Sequence, residues 1–202
     1  YGGWVQWQSA PLRSEYLKCL APRVMCGDLY TGLIHPGGAF QLNVALTWGM
    51  RTNGRTAQSI EYHNWTEAFR STPVVDMDHL AGRELRFWRD WVSHTEYDDY
   101  WDSVNIETKW DQFAVPALVM GGWYDLYSQN AFINFNGLKL NGRTEEARQS
   151  RLIVGPWPHA LSASTKTGDI DFGVNSMVDL ESLELRWFDY WMRGADNGVA
   201  DE

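Results

Sequence analysis

Two cysteines, Cys19 and Cys26, are all that this 202-residue chain contains, so no disulfide framework can carry its fold. They stand seven residues apart, with no histidine at metal-ligating spacing nearby, and read as buried thiols. A single bridge between them stays open, and with it the redox compartment. Nowhere is there a run of the ~18 apolar residues that a helical membrane span requires, and no stretch of these residues reads as a secretory leader, which means little for a sequence that opens without Met. Positive charge is scarce as well. The 17 Lys and Arg against 26 Asp and Glu leave a formal net charge of −9, which argues against nucleic acid and membrane surfaces as partners. The absence of internal repeats and low-complexity runs sets solenoid and linker architectures aside.

What is abundant is aromatic surface. The 12 Trp, 9 Tyr and 8 Phe must be buried in a core or line a pocket, and the length suffices for one core, or a core plus a lid. The small and apolar residues up to Pro11 predict a buried helix that begins at or before Tyr1. Residues 17–24 read as a short buried strand broken by Pro22. Over residues 27–112 the pattern changes to helical spacing (40–48, 61–69, 86–92) with Gly and Pro punctuation and no strand of length. This is expected to be a helical insertion of short amphipathic helices over a cleft. Residues 115–120 form an apolar run closed by Gly121-Gly122, and Ser128 is placed to N-cap a helix over about 129–140. A second run, 151–154, closes on Gly155-Pro156; a helix over 179–193 stacks Leu180, Leu183, Trp187 and Trp191 and stops at Gly194. Strands alternating with helices predict an α/β fold with a parallel sheet. Three strands are too few for a whole sheet, so the missing ones are expected to lie N-terminal.

In open parallel sheets, functional side chains gather just past the C-terminal strand ends. Asp125 occupies that place after the first late strand, in Gly121-Gly122-Trp123-Tyr124-Asp125, and His159 after the second, in Gly155-Pro156-Trp157-Pro158-His159. An acid and then a histidine on successive strand ends match the tail of the order nucleophile–acid–His. A turn aspartate or a packed histidine can equally be structural. Tyr1-Gly2-Gly3 leading into a helix reads as the second half of a Gly-x-Ser-x-Gly elbow. The serine then stands just upstream, and the Tyr1 backbone N–H is an oxyanion donor. Other groups are set aside. His35-Pro36-Gly37-Gly38 follows the elbow, where an oxyanion His-Gly-Gly motif precedes it. His63, His79 and His94 lack a ligand set at metal spacing. Asp169 and Asp171 fall short of the oxygens a Ca²⁺ site takes. Ser9 and Ser14 have no elbow.

These motifs together resemble the cocaine-esterase-like and X-Pro dipeptidyl-peptidase-like (CocE/NonD) family of serine hydrolases over essentially the whole chain. Tyr1-Gly2-Gly3 is similar to the tail of its elbow. Ala21-Pro22, Gly27-Asp28-Leu29-Tyr30 and Pro36-Gly37-Gly38-Ala39 are similar to its entry into a helical cap. Leu80-Ala81-Gly82-Arg83, Phe87-Trp88-Arg89-Asp90-Trp91 and Tyr97-Asp98-Asp99-Tyr100-Trp101 resemble its cap signature. The segments ending in Asp125 and His159 resemble its catalytic-acid and catalytic-histidine segments.

The resemblance implies the C-terminal half of an α/β-hydrolase sheet with an inserted helical cap. Residues 1–26 and 113–198 are expected to form the core, 27–112 the cap, and 199–202 the start of a linker to a C-terminal β-sandwich. It implies Asp125 as triad acid and His159 as base, with a second oxyanion donor, a Tyr, far upstream. Trp123, Tyr124 and Trp157 are candidate pocket residues, and the cap is expected to form the acyl or leaving-group pocket. No cofactor or metal is implied, and the partners expected are a small ester, amide or peptide substrate and the rest of the same polypeptide. Acting alone, the fragment is expected to be inactive and prone to aggregate through an open sheet edge. Leu126-Tyr127-Ser128-Gln129 follows Asp125 where the α-amino-ester hydrolases of the group carry acids, so recognition of a free ammonium is not expected from this loop. An X-Pro peptidase and a non-catalytic binding module on the same fold stay open as alternatives.

Overall fold

Among the described residues, 1–54 and 58–199, the computed structural model contains nine α-helices. In chain order they are α1 (Gly2–Ser9), α2 (Leu42–Thr52), α3 (Trp65–Arg70), α4 (Met77–Leu80), α5 (Arg86–Ser93), α6 (Asp99–Val104), α7 (Ser128–Asn141), α8 (Glu145–Arg148) and α9 (Leu180–Arg193). The strands are β1 (Leu118–Gly122), β2 (Arg151–Gly155), β3 (Lys166–Thr167) and β4 (Ile170–Asp171). The chain divides into two units: one holds residues 1–28 and the chain from 104 onward, the other residues 29–103.

The first unit is built on parallel pairing of β1 with β2, from Leu118 opposite Arg151 to Gly122 opposite Gly155. The 17–24 segment joins β1 only through isolated parallel bridges, Leu20 with Ala117 and Arg23 with Met120. Proline is the reason. Leu20 and Val24 donate to Pro116 and Met120 at 2.9 Å each, but Pro22 between them has no N–H to continue the ladder. Alternation along β1 then sorts its side chains. Leu118 and Met120 enter a core with Cys19, Ala21, Leu180 and Trp187, and the Trp187 indole N–H donates to the Leu20 carbonyl at 2.9 Å. On the opposite face a Cβ on Gly121 would come within 2.8 Å of Ala131, so this glycine lets α7 lie close to the sheet. Trp7 of α1 packs there against Trp110 and Phe113, ring centroids 6.0 and 5.9 Å away. Helices on both faces of a parallel sheet make this an α/β unit.

The observed elements refine the expected ones. Residues 104–112 belong with the sheet unit, not the insertion: Ile106 N–H donates to the Gly27 carbonyl at 3.0 Å and Trp110 is buried beside Phe113. Ser128 is the first residue of α7, with Tyr127 at its cap position and no side-chain cap hydrogen bond. The β3–β4 hairpin follows two-residue strands that carry too little pattern to read. Of the segment 199–202, residues 200–202 lie outside the described residues. Both cysteines are free and buried. Burial pushes the Cys19 thiol up to about 11 and the Cys26 thiol higher still, so both stay protonated.

The helical unit has its own aromatic core. His35 lies buried between Tyr30, stacked at 4.6 Å, Phe40 at 5.1 Å and the edge of Trp101 at 5.7 Å. Burial lowers its pKa, which keeps the imidazole neutral in this apolar setting. The fully buried Asp78 carboxylate accepts the backbone N–H groups of His79 (2.9 Å) and Leu85 (2.8 Å) and the Arg89 guanidinium (3.1 Å). A buried charge satisfied three times over is a structural clamp on the turn between α4 and α5.

Candidate active site

The paired strands β1 and β2 end side by side, and their loops stay joined beyond the ladder. Trp123 N–H donates to the Gly155 carbonyl at 2.8 Å and Tyr124 N–H to the Trp157 carbonyl at 3.0 Å. Gly122 is what permits this crossing, because a Cβ there would collide with the Trp157 carbonyl. Asp125 sits at the tip of the first loop, its N–H on the Gly122 carbonyl (3.2 Å) and its carbonyl accepting from Ser128 (3.1 Å). The backbone therefore fixes the carboxylate before any partner is considered.

That partner is His159. Its Nδ1 lies 3.1 Å from Asp125 Oδ1 and 3.3 Å from Oδ2. The Asp125 side chain is 1% exposed and that of His159 61%, so a buried acid backs an accessible imidazole. A carboxylate on Nδ1 selects the tautomer with the proton there and leaves Nε2 as acceptor. The Asp125 hydrogen bond raises the His159 pKa, partial burial opposes it, and the Asp125 charge raises it further.

A cavity of about 360 Å³ opens beside His159 and is walled by Tyr1, Gly2, Gly3, Gln6 and Arg23. The walls are locked. Gln6 Oε1 accepts from Ala21 N–H (2.9 Å), while its Nε2 donates to the Gly2 and Ala21 carbonyls (3.2 and 3.4 Å). One amide thus ties the first turn of α1 to the edge of the 17–24 segment. Gly3 allows the close approach, since a Cβ would stand 2.7 Å from the Arg23 carbonyl. Arg23 in turn forms a two-pronged ion pair with Glu184, Nε to Oε1 at 3.1 Å and Nη2 to Oε2 at 2.5 Å.

The aromatic candidates separate. Trp123 and Tyr124 are 61% and 47% exposed on the loop that carries Asp125, resting on Phe132 and Phe172 respectively. Trp157 faces the other way and leaves the list of pocket candidates. It is 1% exposed, belongs to the sheet core, and donates its indole N–H to the Ser176 carbonyl at 2.5 Å. Its ring folds back over Gly155, where a Cβ would overlap it. Gln6, Arg23, Glu184 and Tyr127, at or beside the site, were not legible as site residues. Gln6 alone left a trace, as an amide among the apolar residues of a helix expected to be buried.

Comparison with known proteins adds the following. A family model described as X-Pro dipeptidyl-peptidase (S15 family) matches residues 1–161. The chain is 27% identical over 221 residues to the cocaine esterase of Rhodococcus sp. (strain MB1 Bresler), covering 99% of this chain and 37% of that protein. An aminopeptidase from a marine-sediment Thaumarchaeota archaeon superposes with a TM-score of 0.73 at 20% identity, over 96% of this chain and 33% of its own. An α-amino acid ester hydrolase gives 0.66 at 18%, over 98% and 33%. A CocE/NonD family hydrolase from Staphylococcus aureus gives 0.55 at 18%, over 98% and 28%. At these identities the structural matches speak to the fold, that of an α/β-hydrolase sheet in part. The chain spans about a third of the length of the relatives it matches.

Proposed function

This chain belongs to the X-Pro dipeptidyl-peptidase (S15) family of CocE/NonD-like hydrolases, and from that premise we propose that it supplies the acid and base of a serine hydrolase acting on small esters or amides. The observation that carries the reading is the Nδ1 contact of His159 with the buried Asp125 carboxylate, 3.1 Å, beside the cavity at Tyr1. In this reading the nucleophile is a serine directly preceding Tyr1. His159 Nε2 takes its proton as the hydroxyl oxygen attacks the substrate carbonyl carbon. Asp125 holds the tautomer and stabilises the imidazolium without taking the proton. The peptide N–H of Tyr1, as the residue after the nucleophile, donates to the oxyanion. His159 then protonates the leaving alcohol or amine, and water repeats the sequence on the acyl-enzyme. Trp123 and Tyr124 offer exposed aromatic surface next to the acid for an apolar substrate portion.

The match to the X-Pro dipeptidyl-peptidase model favours a second reading, cleavage after a penultimate proline. Both are tested by kcat/KM of the full-length gene product on p-nitrophenyl butyrate and on Gly-Pro p-nitroanilide. Turnover of the first and not the second supports the esterase reading, and the reverse supports the peptidase. The variant His159→Gln is expected to lose about 10⁴-fold or more on either substrate. Undiminished turnover in that variant excludes His159 as the base, and no turnover of any acyl substrate by the wild type excludes the mechanism and favours a binding role.

A further inference from the structure

The Asp125 carboxylate is sealed while its imidazole partner is more than half exposed. An exposed imidazole has rotamers that swing it away from the acid, and water on the carboxylate would weaken the bond between them. Something must restrain the ring. The nearest aromatic group is Tyr127, two residues beyond Asp125, with its ring centroid 5.9 Å from that of His159 at an interplanar angle of 49°. Tyr127 is itself fixed. It is 8% exposed, occupies the cap position of α7, and its carbonyl accepts from Ala131 at 3.1 Å. Burial first, then the neighbouring Cys26 and Asp125, push its phenol pKa up, so it stands beside the acid as a neutral wall.

We propose that Tyr127 is a positioning residue whose ring holds the His159 imidazole against Asp125 and keeps water from the carboxylate. This rests on the reading of Asp125 and His159 as acid and base. The contact is between the two rings, tilted by 49°, so phenylalanine should serve in its place and a residue without a ring should not. A helix cap with no bearing on the site predicts no such split.

The test is made in the full-length gene product with Tyr127→Phe, Tyr127→Leu and Tyr127→Ala. The readouts are the far-downfield proton resonance of His159 Nδ1, assigned by its loss in His159→Gln, and kcat and KM for p-nitrophenyl butyrate. Tyr127→Phe is expected to keep the resonance and wild-type kinetics. Tyr127→Leu and Tyr127→Ala are expected to lose the resonance to solvent exchange and to drop kcat about 10- to 100-fold with little change in KM, the scale of a small misplacement of a reacting group. Leu keeps apolar bulk and so provides the reading if the Ala variant fails to fold. Retention of the resonance and of kcat in a folded Leu or Ala variant overturns the proposal. So does its loss in Tyr127→Phe, or its absence from the wild type. If the wild type shows the resonance but hydrolyses nothing, the esterase reading falls, while the resonance in the variants still decides the role of Tyr127.

Discussion

Two histidine–aspartate pairs stand out among the described residues, one in each unit, and the tighter of the two is not the candidate site. His94 Nδ1 lies 2.6 Å from Asp98 Oδ2 in the helical unit, against 3.1 Å for His159 and Asp125 in the sheet unit. The difference lies in what surrounds them. His94 and Asp98 are four residues apart on one local turn, both partly exposed, with the imidazole stacked on Tyr100 at 4.3 Å. Asp98 is held below the usual carboxylate range, chiefly by the His94 hydrogen bond. Such a pair reports local geometry and is screened by water. Asp125 and His159 come from loops 34 residues apart, brought together by two parallel strands, with the acid sealed and a cavity alongside. Burial and origin, not distance, set the candidate base apart from an ordinary surface pair.

The largest effect expected from breaking that contrast is on catalysis. Asp125→Asn in the full-length gene product should lower kcat for an ester substrate by about 10⁴-fold, the cost of presenting the wrong tautomer. Asp98→Asn should leave it within about twofold, as a partly exposed pair contributes little. Equal losses would erase the distinction between the two pairs.

Stability should split the tryptophans of the candidate site in the same manner. Trp157→Ala removes a fully buried ring and is expected to cost about 3–5 kcal/mol by denaturant unfolding. Trp123→Ala, on the exposed side of the same crossing, should cost less than about 1 kcal/mol. A mild Trp157→Ala variant would mean that its ring is not part of the core.

Smaller again is the pH effect. The base must be neutral to accept a proton, and Asp125 raises the His159 pKa above its ordinary 6.5. Activity should therefore rise with pH through that raised value, and the limb should move to lower pH in Asp125→Asn, where the largest raising cause is gone. For stability the sign reverses. The imidazolium–carboxylate pairing contributes fully below the unfolded-state pKa near 6.5 and is lost as pH rises through the folded value. Rate profiles and melts across this window, in which Asp125→Asn shifts neither, would remove Asp125 as the cause.

Much of this arrangement was legible because glycine marks the strand ends. Gly121-Gly122 and Gly155 close the apolar runs, so Asp125 and His159 could be placed on neighbouring loops from order alone, and the parallel pairing follows from strand–helix alternation. What was not legible depends on contacts across the chain. Trp157 beside a loop histidine reads as a pocket residue, and only the bare Cα of Gly155 allows its ring to turn into the core. Tyr127 meets His159 only after two loops converge, and Gln6 finds its partner 15 residues away at the edge of a segment that proline keeps from becoming a strand. The insertion ends at residue 103 and not at 112 because the hydrogen bond from Ile106 to Gly27 binds residues 104–112 to the sheet unit, which no local pattern records.

The proposed function turns on His159 and Asp125 activating a serine adjoining Tyr1. Labelling the full-length gene product with a fluorophosphonate and mapping the adduct by mass spectrometry tests it most directly. A single adduct on a serine immediately before Tyr1, absent when the protein carries His159→Gln, is the predicted result. An adduct confined to Ser9, Ser14 or another site, or a residue other than serine at that position, would contradict it.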